Sequence, residues 1–218
     1  MKPKFWLDRW QANQIGFHQE EHNSLLVEFW PTLDVADGTR VFVPLCGKSL
    51  DMRWLEAEGH QVVGVELAQL AIENYFDQEE PVTAEPVDRF VRYSGGQTEI
   101  YHGDFFDLTT PLLSDVDAVF DRGALVALPH DMRFRYIDHM LRIIPDGCRI
   151  LLITLEYDQS RVSGPPHSVS GEEVEKHFGV RCDVSLVDSI VTSALPPHFE
   201  TQGVRQAVEN VYSIRKRE

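Results

Sequence analysis

Between residues 40 and 155, short apolar runs alternate with longer stretches whose apolar positions recur at helical spacing. The first run, RVFVPL at 40–45, has no polar interruption after Arg40, the pattern of a strand buried on both faces. Runs at 61–65, 98–101, 118–121 and 149–155 read as four more strands. Helices are predicted over 50–58, 68–76 and 130–144, the last turned into the following strand by Pro145-Asp146-Gly147. Strand and helix alternating at this interval predict a parallel sheet covered on both faces.

The flanks depart from that rhythm. Over 5–11, Trp6 and Trp10 stand four residues apart and share one helical face. A second helix is predicted over 20–30 on Leu25, Leu26 and Phe29, stopped by Pro31. From 77 to 96 the pattern lapses, and Pro81, Pro86, Gly95 and Gly96 predict an irregular insertion. The tail has strand character at 180–191 and 208–215, joined by a Pro-rich link without a long helix. An antiparallel hairpin closing the sheet is expected there, within a single domain spanning 1–218.

Composition narrows the partners. Twenty Lys and Arg face 35 Asp and Glu, a net charge of −15, which disfavours nucleic acid and anionic membranes. The three cysteines, Cys46, Cys148 and Cys182, form no CxxC pair and no zinc spacing, and the nine histidines no HExxH, so no metal is assigned. A reducing cytoplasmic setting is expected, with no leader and no membrane span.

In an open parallel sheet the ligand lies beyond the carboxyl ends of the strands, where the winding reverses. Glu66 ends the second strand, where an acid either accepts from both ribose hydroxyls of a cofactor lacking a 2′-phosphate or is merely solvated. The turn after the first strand, VPLCGKSLDM, has one glycine, Gly47, and no GxGxxG, which argues against NAD, FAD and P-loop nucleotides. A cofactor with a methionine tail in place of phosphates suits such a turn. Asp104 either bonds an adenine amine, with Phe105 packed on the ring, or caps the next turn. Arg122 either anchors an anionic acceptor or pairs with Asp121 or another acid. Cys46 abuts a buried strand and reads as a small core residue rather than a nucleophile.

Several segments resemble the thiopurine S-methyltransferases, particularly their bacterial members. They are FWLDRWQANQIGFHQ at 5–19, VFVPLCGKSLDMRWLEAEGHQVVGVE at 41–66, AIENYF, GDFFDL at 103–108, FDRGALVALP at 120–129, and TLEYDQ followed by GPPHSV. PLCGKS together with DRGALVAL is specific to that family. The resemblance implies a class I S-adenosylmethionine-dependent methyltransferase fold of three α/β/α layers. Its sheet would be Rossmann-like, seven-stranded and mostly parallel, ending in the antiparallel hairpin, with a helical lid over 1–35. It implies that Trp10, Leu45, Glu66 and Arg122 contact S-adenosylmethionine, that Asp104 and Phe105 flank its adenine, and that Phe17 lies against an aromatic acceptor. Where the family has GPPF this chain has GPPH, with His167, and His198 takes the place of an arginine near the acceptor; both bear on acceptor choice.

The reaction implied is in-line displacement by an acceptor thiolate, releasing S-adenosylhomocysteine and needing no assigned general base. Arg122 would favour the anionic acceptor, and Trp10 and Phe17 would close over it. A monomer acting on a small molecule is expected. The competing readings are methylation of selenium or tellurium compounds at the same site, and a non-catalytic S-adenosylmethionine-binding protein.

Overall fold

A computed structural model describes residues 3–15, 18–77 and 81–218. Five parallel strands form the centre of the sheet: β1 (Arg40–Val43), β2 (Gln61–Glu66), β5 (Thr98–His102), β6 (Ala118–Arg122) and β7 (Arg149–Glu156). Antiparallel to β7 runs β9 (Ala207–Lys216), and β8 (Cys182–Thr192) forms the edge beyond it. These are the seven strands expected.

The stretch expected to be irregular is instead a hairpin, β3 (Thr83–Val87) and β4 (Phe90–Gly95), which adds two antiparallel strands beyond β5. The complete order is β3-β4-β5-β2-β1-β6-β7-β9-β8. Pro86 lies in the edge strand β3, where a missing N–H is tolerated, and Asp88 makes the turn at φ 52°. The prolines and glycines therefore mark an edge and its turns.

Strand alternation builds the three layers. Phe42, Val63, Val65, Val119, Ile150 and Leu152 point to one face and pack with α5 (His130–Ile143) and α6 (Gly171–Phe178). Their neighbours Val41, Val43, Val62, Phe120, Leu151 and Ile153 point to the other face. There they meet α2 (Ser24–Phe29), α3 (Leu50–Ala57) and α4 (Gln69–Phe76). Each fully buried large side chain contributes about 2 kcal/mol of transfer free energy.

Helix α6 was not anticipated, although Ser170-Gly-Glu-Glu173 carries the capping pattern: the Glu173 N–H donates to Ser170 Oγ at 3.2 Å. A short helix, α7 (Pro197–Thr201), occupies the Pro-rich link. Near the N-terminus, α2 begins four residues later than expected, where Asn23 Oδ1 accepts from the Leu25 N–H. It continues past Pro31 as a 3-10 turn, Trp30–Leu33. Helix α1 (Pro3–Gln11) rests on α4 through Trp10, which is packed with Ala68 and Ala71. At the opposite edge, β8 shifts register by one residue between Leu186 and Asp188, and Leu186 and Val191 are exposed.

Candidate active site

The chain winds outward from β1 through β2 to β5 and then returns to β6 on the other side of β1. The crevice between β1 and β6 is thus the switch point, with the end of β2 beside it. The loop leaving β1 is held in a left-handed bend, Leu45 at φ 46° and Gly47 at φ 55°. The Cys46 N–H donates to Val65 O at 3.1 Å, and the Ser49 N–H to Cys46 O at 3.1 Å. Two glycines permit this bend. A β-carbon on Gly47 would stand 3.2 Å from the Trp10 indole, and one on Gly64 only 2.7 Å from Cys46 Sγ. Burial above all, with Glu66 nearby, pushes the Cys46 thiol well above its usual range, as suits a core residue.

Glu66 faces this bend directly. Its Oε2 accepts from the Gly47 N–H at 2.8 Å and its Oε1 from the Ala68 N–H at 2.7 Å. The residue is only 7% exposed, and burial raises its pKa against the opposing pull of these backbone donors. An ionised carboxylate offers about four acceptor directions, so the two bonds leave capacity for further donors. Trp10 roofs the loop across Gly47, so Trp10, Leu45 and Glu66 come together at one place.

The Gly103 N–H donates to Glu66 O at 2.9 Å and brings the loop after β5 alongside. Asp104 Oδ1 accepts from the Phe106 N–H at 2.9 Å and caps the 3-10 turn Phe105–Asp107, the second of its two expected roles. The Phe105 ring is 2% exposed and enclosed by Phe42, Tyr136, His139 and Phe106, so it packs into the core.

Arg122, at the end of β6, has an acidic partner, and it is Asp51 rather than Asp121: Arg122 Nε donates to Asp51 Oδ2 at 2.8 Å. Strand alternation sends Asp121 to the opposite face, where its Oδ2 accepts from Tyr136 Oη at 2.7 Å and its Oδ1 from the Leu125 N–H at 3.1 Å. Burial pushes the Asp121 carboxyl up to about 6. His18, Lys48 and Glu209 lie within electrostatic reach of this end of the crevice. Burial first, then Lys48 and Arg122, holds His18 below its ordinary pKa, and Arg122 opposes the rise that burial imposes on Glu209. Phe17 lies outside the described residues. The His167 N–H donates to Val126 O at 2.6 Å, with its ring held low by burial and Arg133. His198 sits on α7, edge-on to Phe199 at 4.9 Å.

Asp51 and Asn23 escaped the sequence reading. An acid in the first turn of a helix, two residues after its Ser49 cap, looks like ordinary end chemistry, and nothing local marks its distant partners.

A sequence model described as thiopurine S-methyltransferase matches residues 1–217. The chain belongs to the thiopurine S-methyltransferase family. A probable thiopurine S-methyltransferase of Yarrowia lipolytica is 46% identical over 217 residues, 98% of this chain and 100% of that protein. The thiopurine S-methyltransferase of Nitrosospira multiformis is 44% identical over 218 residues, 100% of this chain and 99% of its own. Among solved structures, an S-adenosylmethionine-dependent methyltransferase of Anabaena variabilis superposes at a TM-score of 0.67 and 11% identity, covering 99% of this chain and 95% of that one. The 1,6-didemethyltoxoflavin-N1-methyltransferase of Burkholderia thailandensis, solved with 1,6-didemethyltoxoflavin and S-adenosylhomocysteine, superposes at 0.66 and 13% identity. It covers 99% of this chain and 87% of its own. At those identities the likeness carries the fold, a class I methyltransferase frame.

Proposed function

We propose that this family member transfers the methyl group of S-adenosylmethionine to the sulfur of aromatic and heterocyclic thiols, thiopurines among them. The observation that carries the cofactor assignment is the Glu66 carboxylate, buried at the switch point and bonded to the Gly47 N–H. The residues fit such a cofactor. Glu66 has acceptor capacity left for a pair of ribose hydroxyls, and the glycine at the bend lets the Trp10 indole pack close against the loop beside it. Leu45 supplies the backbone of that bend, and Asp104 stands at the adenine side with one carboxylate oxygen committed to its cap.

When bound, the cofactor supplies an electrophilic methyl on a sulfonium that needs no activation by the protein. The chain's own residues position, exclude water and set the local field. An acidic aromatic thiol enters as its thiolate, having given its proton to solvent, so no general base is assigned. The acceptor sulfur forms the new carbon–sulfur bond as the bond from methyl to sulfonium breaks, and S-adenosylhomocysteine leaves. Arg122 faces the anionic acceptor and favours its ionised form, while Trp10 shields the sulfur from water. Free buried thiols at Cys46, Cys148 and Cys182 suit a reducing cytoplasm, and we take the working unit to be a monomer with a small-molecule substrate.

The deciding experiment supplies labelled S-adenosylmethionine with thiopurines, thiophenols, selenite and tellurite, and weighs the products by mass spectrometry. Methylated aromatic thiols are expected. Label found only in selenium or tellurium products, or cofactor bound with no methyl transferred to anything, overturns the reading.

A further inference from the structure

Asp51 has no place in the functional reading so far, yet its side chain is only 1% exposed in the wall of the crevice. Both of its oxygens are engaged. Oδ1 accepts from the Asn23 N–H at 2.7 Å, and Oδ2 accepts from Arg122 Nε at 2.8 Å. The two partners lie 28 residues before it and 71 residues after it in the chain. A carboxylate so deeply buried is tolerated only when paired and bonded in this way.

The geometry of each neighbour gives the pair a direction. Asp51 sits in the first turn of α3, fixed by its own N–H donating to Ser49 Oγ at 3.2 Å, directly after the bend that holds Gly47. Asn23 caps α2 through Oδ1, and its Nδ2 donates to Gln19 Oε1 at 3.3 Å. A chain of bonds therefore runs from Gln19, beside His18, through Asn23 and Asp51 to Arg122. The bond to Asp51 is made at Arg122 Nε, the base of the guanidinium, so it anchors that end of the group in the crevice. Glu209, on β9, is a second acid within the field of the same guanidinium and would compete for it.

We infer that Asp51 is a positioning residue: it holds the Arg122 fork toward the acceptor, away from Glu209, and ties that orientation to the seating of the 18–23 segment. The inference rests on the proposed role of Arg122 toward an anionic acceptor. Its consequence is that Asp51 acts on acceptor binding only through Arg122. Two perturbations of one unit do not add, whereas independent ones do.

The test measures the dissociation constant of 4-nitrothiophenolate from its absorbance change, with the protein saturated in S-adenosylhomocysteine. It compares wild type, Asp51→Asn, Arg122→Ala and the double variant. Asp51→Asn keeps the shape and one acceptor oxygen for the Asn23 N–H, which Asp51→Ala would strand. The expected result is affinity weakened fivefold or more by Asp51→Asn and by Arg122→Ala, with the double variant within twofold of Arg122→Ala. Less than a fivefold loss in either single variant, or losses that multiply in the double variant, overturns the inference. Methyl transfer is scored separately. Wild type that binds the thiolate without methylating it refutes the functional reading, and the affinity series still decides the role of Asp51.

Discussion

Glu66→Gln is the most informative single change, because the two backbone donors around this side chain demand two acceptors. Gly47 N–H and Ala68 N–H each point at a different carboxylate oxygen, at 2.8 and 2.7 Å. Glutamine supplies one oxygen and one NH2, so whichever way the amide turns, one buried donor faces another donor. An unsatisfied buried group of this kind costs about 1–3 kcal/mol. For a chain of this size that lowers the melting temperature by roughly 2–12 °C, at about 2–4 °C per kcal/mol. The proposed bonds to the ribose hydroxyls would lose their charge assistance as well, and each such bond contributes about 1.5–3 kcal/mol. Losing one to two of them weakens S-adenosylmethionine binding by more than about tenfold. Calorimetric titration with S-adenosylmethionine and S-adenosylhomocysteine reads the affinity, and a thermal melt of the free protein reads the stability. A variant that melts lower but binds both ligands within threefold of wild type would show that the carboxylate only braces the loop, and the ribose assignment would be wrong.

Gly47→Ala must adopt φ 55° and push a methyl to 3.2 Å from Trp10, and left-handed backbone alone costs about 1–2 kcal/mol. Lower melting temperature, altered indole fluorescence and weaker cofactor binding are expected together; unchanged fluorescence would contradict the packing. Asp121 has its folded pKa raised from 3.8 to about 6, so the fold holds this proton more tightly than the unfolded chain does. Its ionisation therefore destabilises as pH climbs from about 4 to 6, by about 3 kcal/mol in all. Denaturant titrations across that interval should find Asp121→Asn gaining on wild type as pH rises, and parallel curves would refute this. His60 has the opposite sign. Burial lowers its pKa below 6.5, and its Nε2 accepts from Trp30 Nε1 at 2.9 Å, so its contribution is complete above 6.5 and is lost as pH falls through that value toward the lowered folded one. Tryptophan emission followed below pH 6.5 should change in wild type and not in His60→Phe.

The sequence announced what repetition and strand ends can announce. Uninterrupted runs such as RVFV are buried on both faces and have few alternatives, so the central strands fall within a residue or two of their expected bounds. The β3–β4 hairpin was hidden because Pro86 and the closing glycines read as an irregular insertion unless the strand is known to be an edge. Glu66 and Arg122 were legible from position alone, each at a strand's carboxyl end in the crevice. Position alone sets Phe105 beside the loop after β5, and only packing tells that its ring turns inward against Tyr136 at 4.7 Å. Asp51 needed the fold itself, since its partners come from β6 and from the start of α2.

The step in β8 between Leu186 and Asp188 bears on how the molecule behaves in a crowded solution. A long flat border carrying Leu186 and Val191 outward would invite a neighbour's strand to zip along it and grow a filament. The extra residue twists the border out of line, and Asp183 and Asp188 set like charges against any approaching copy. The irregularity thus guards the border against edge-to-edge pairing, and a designer tidying the sheet would be tempted to remove it.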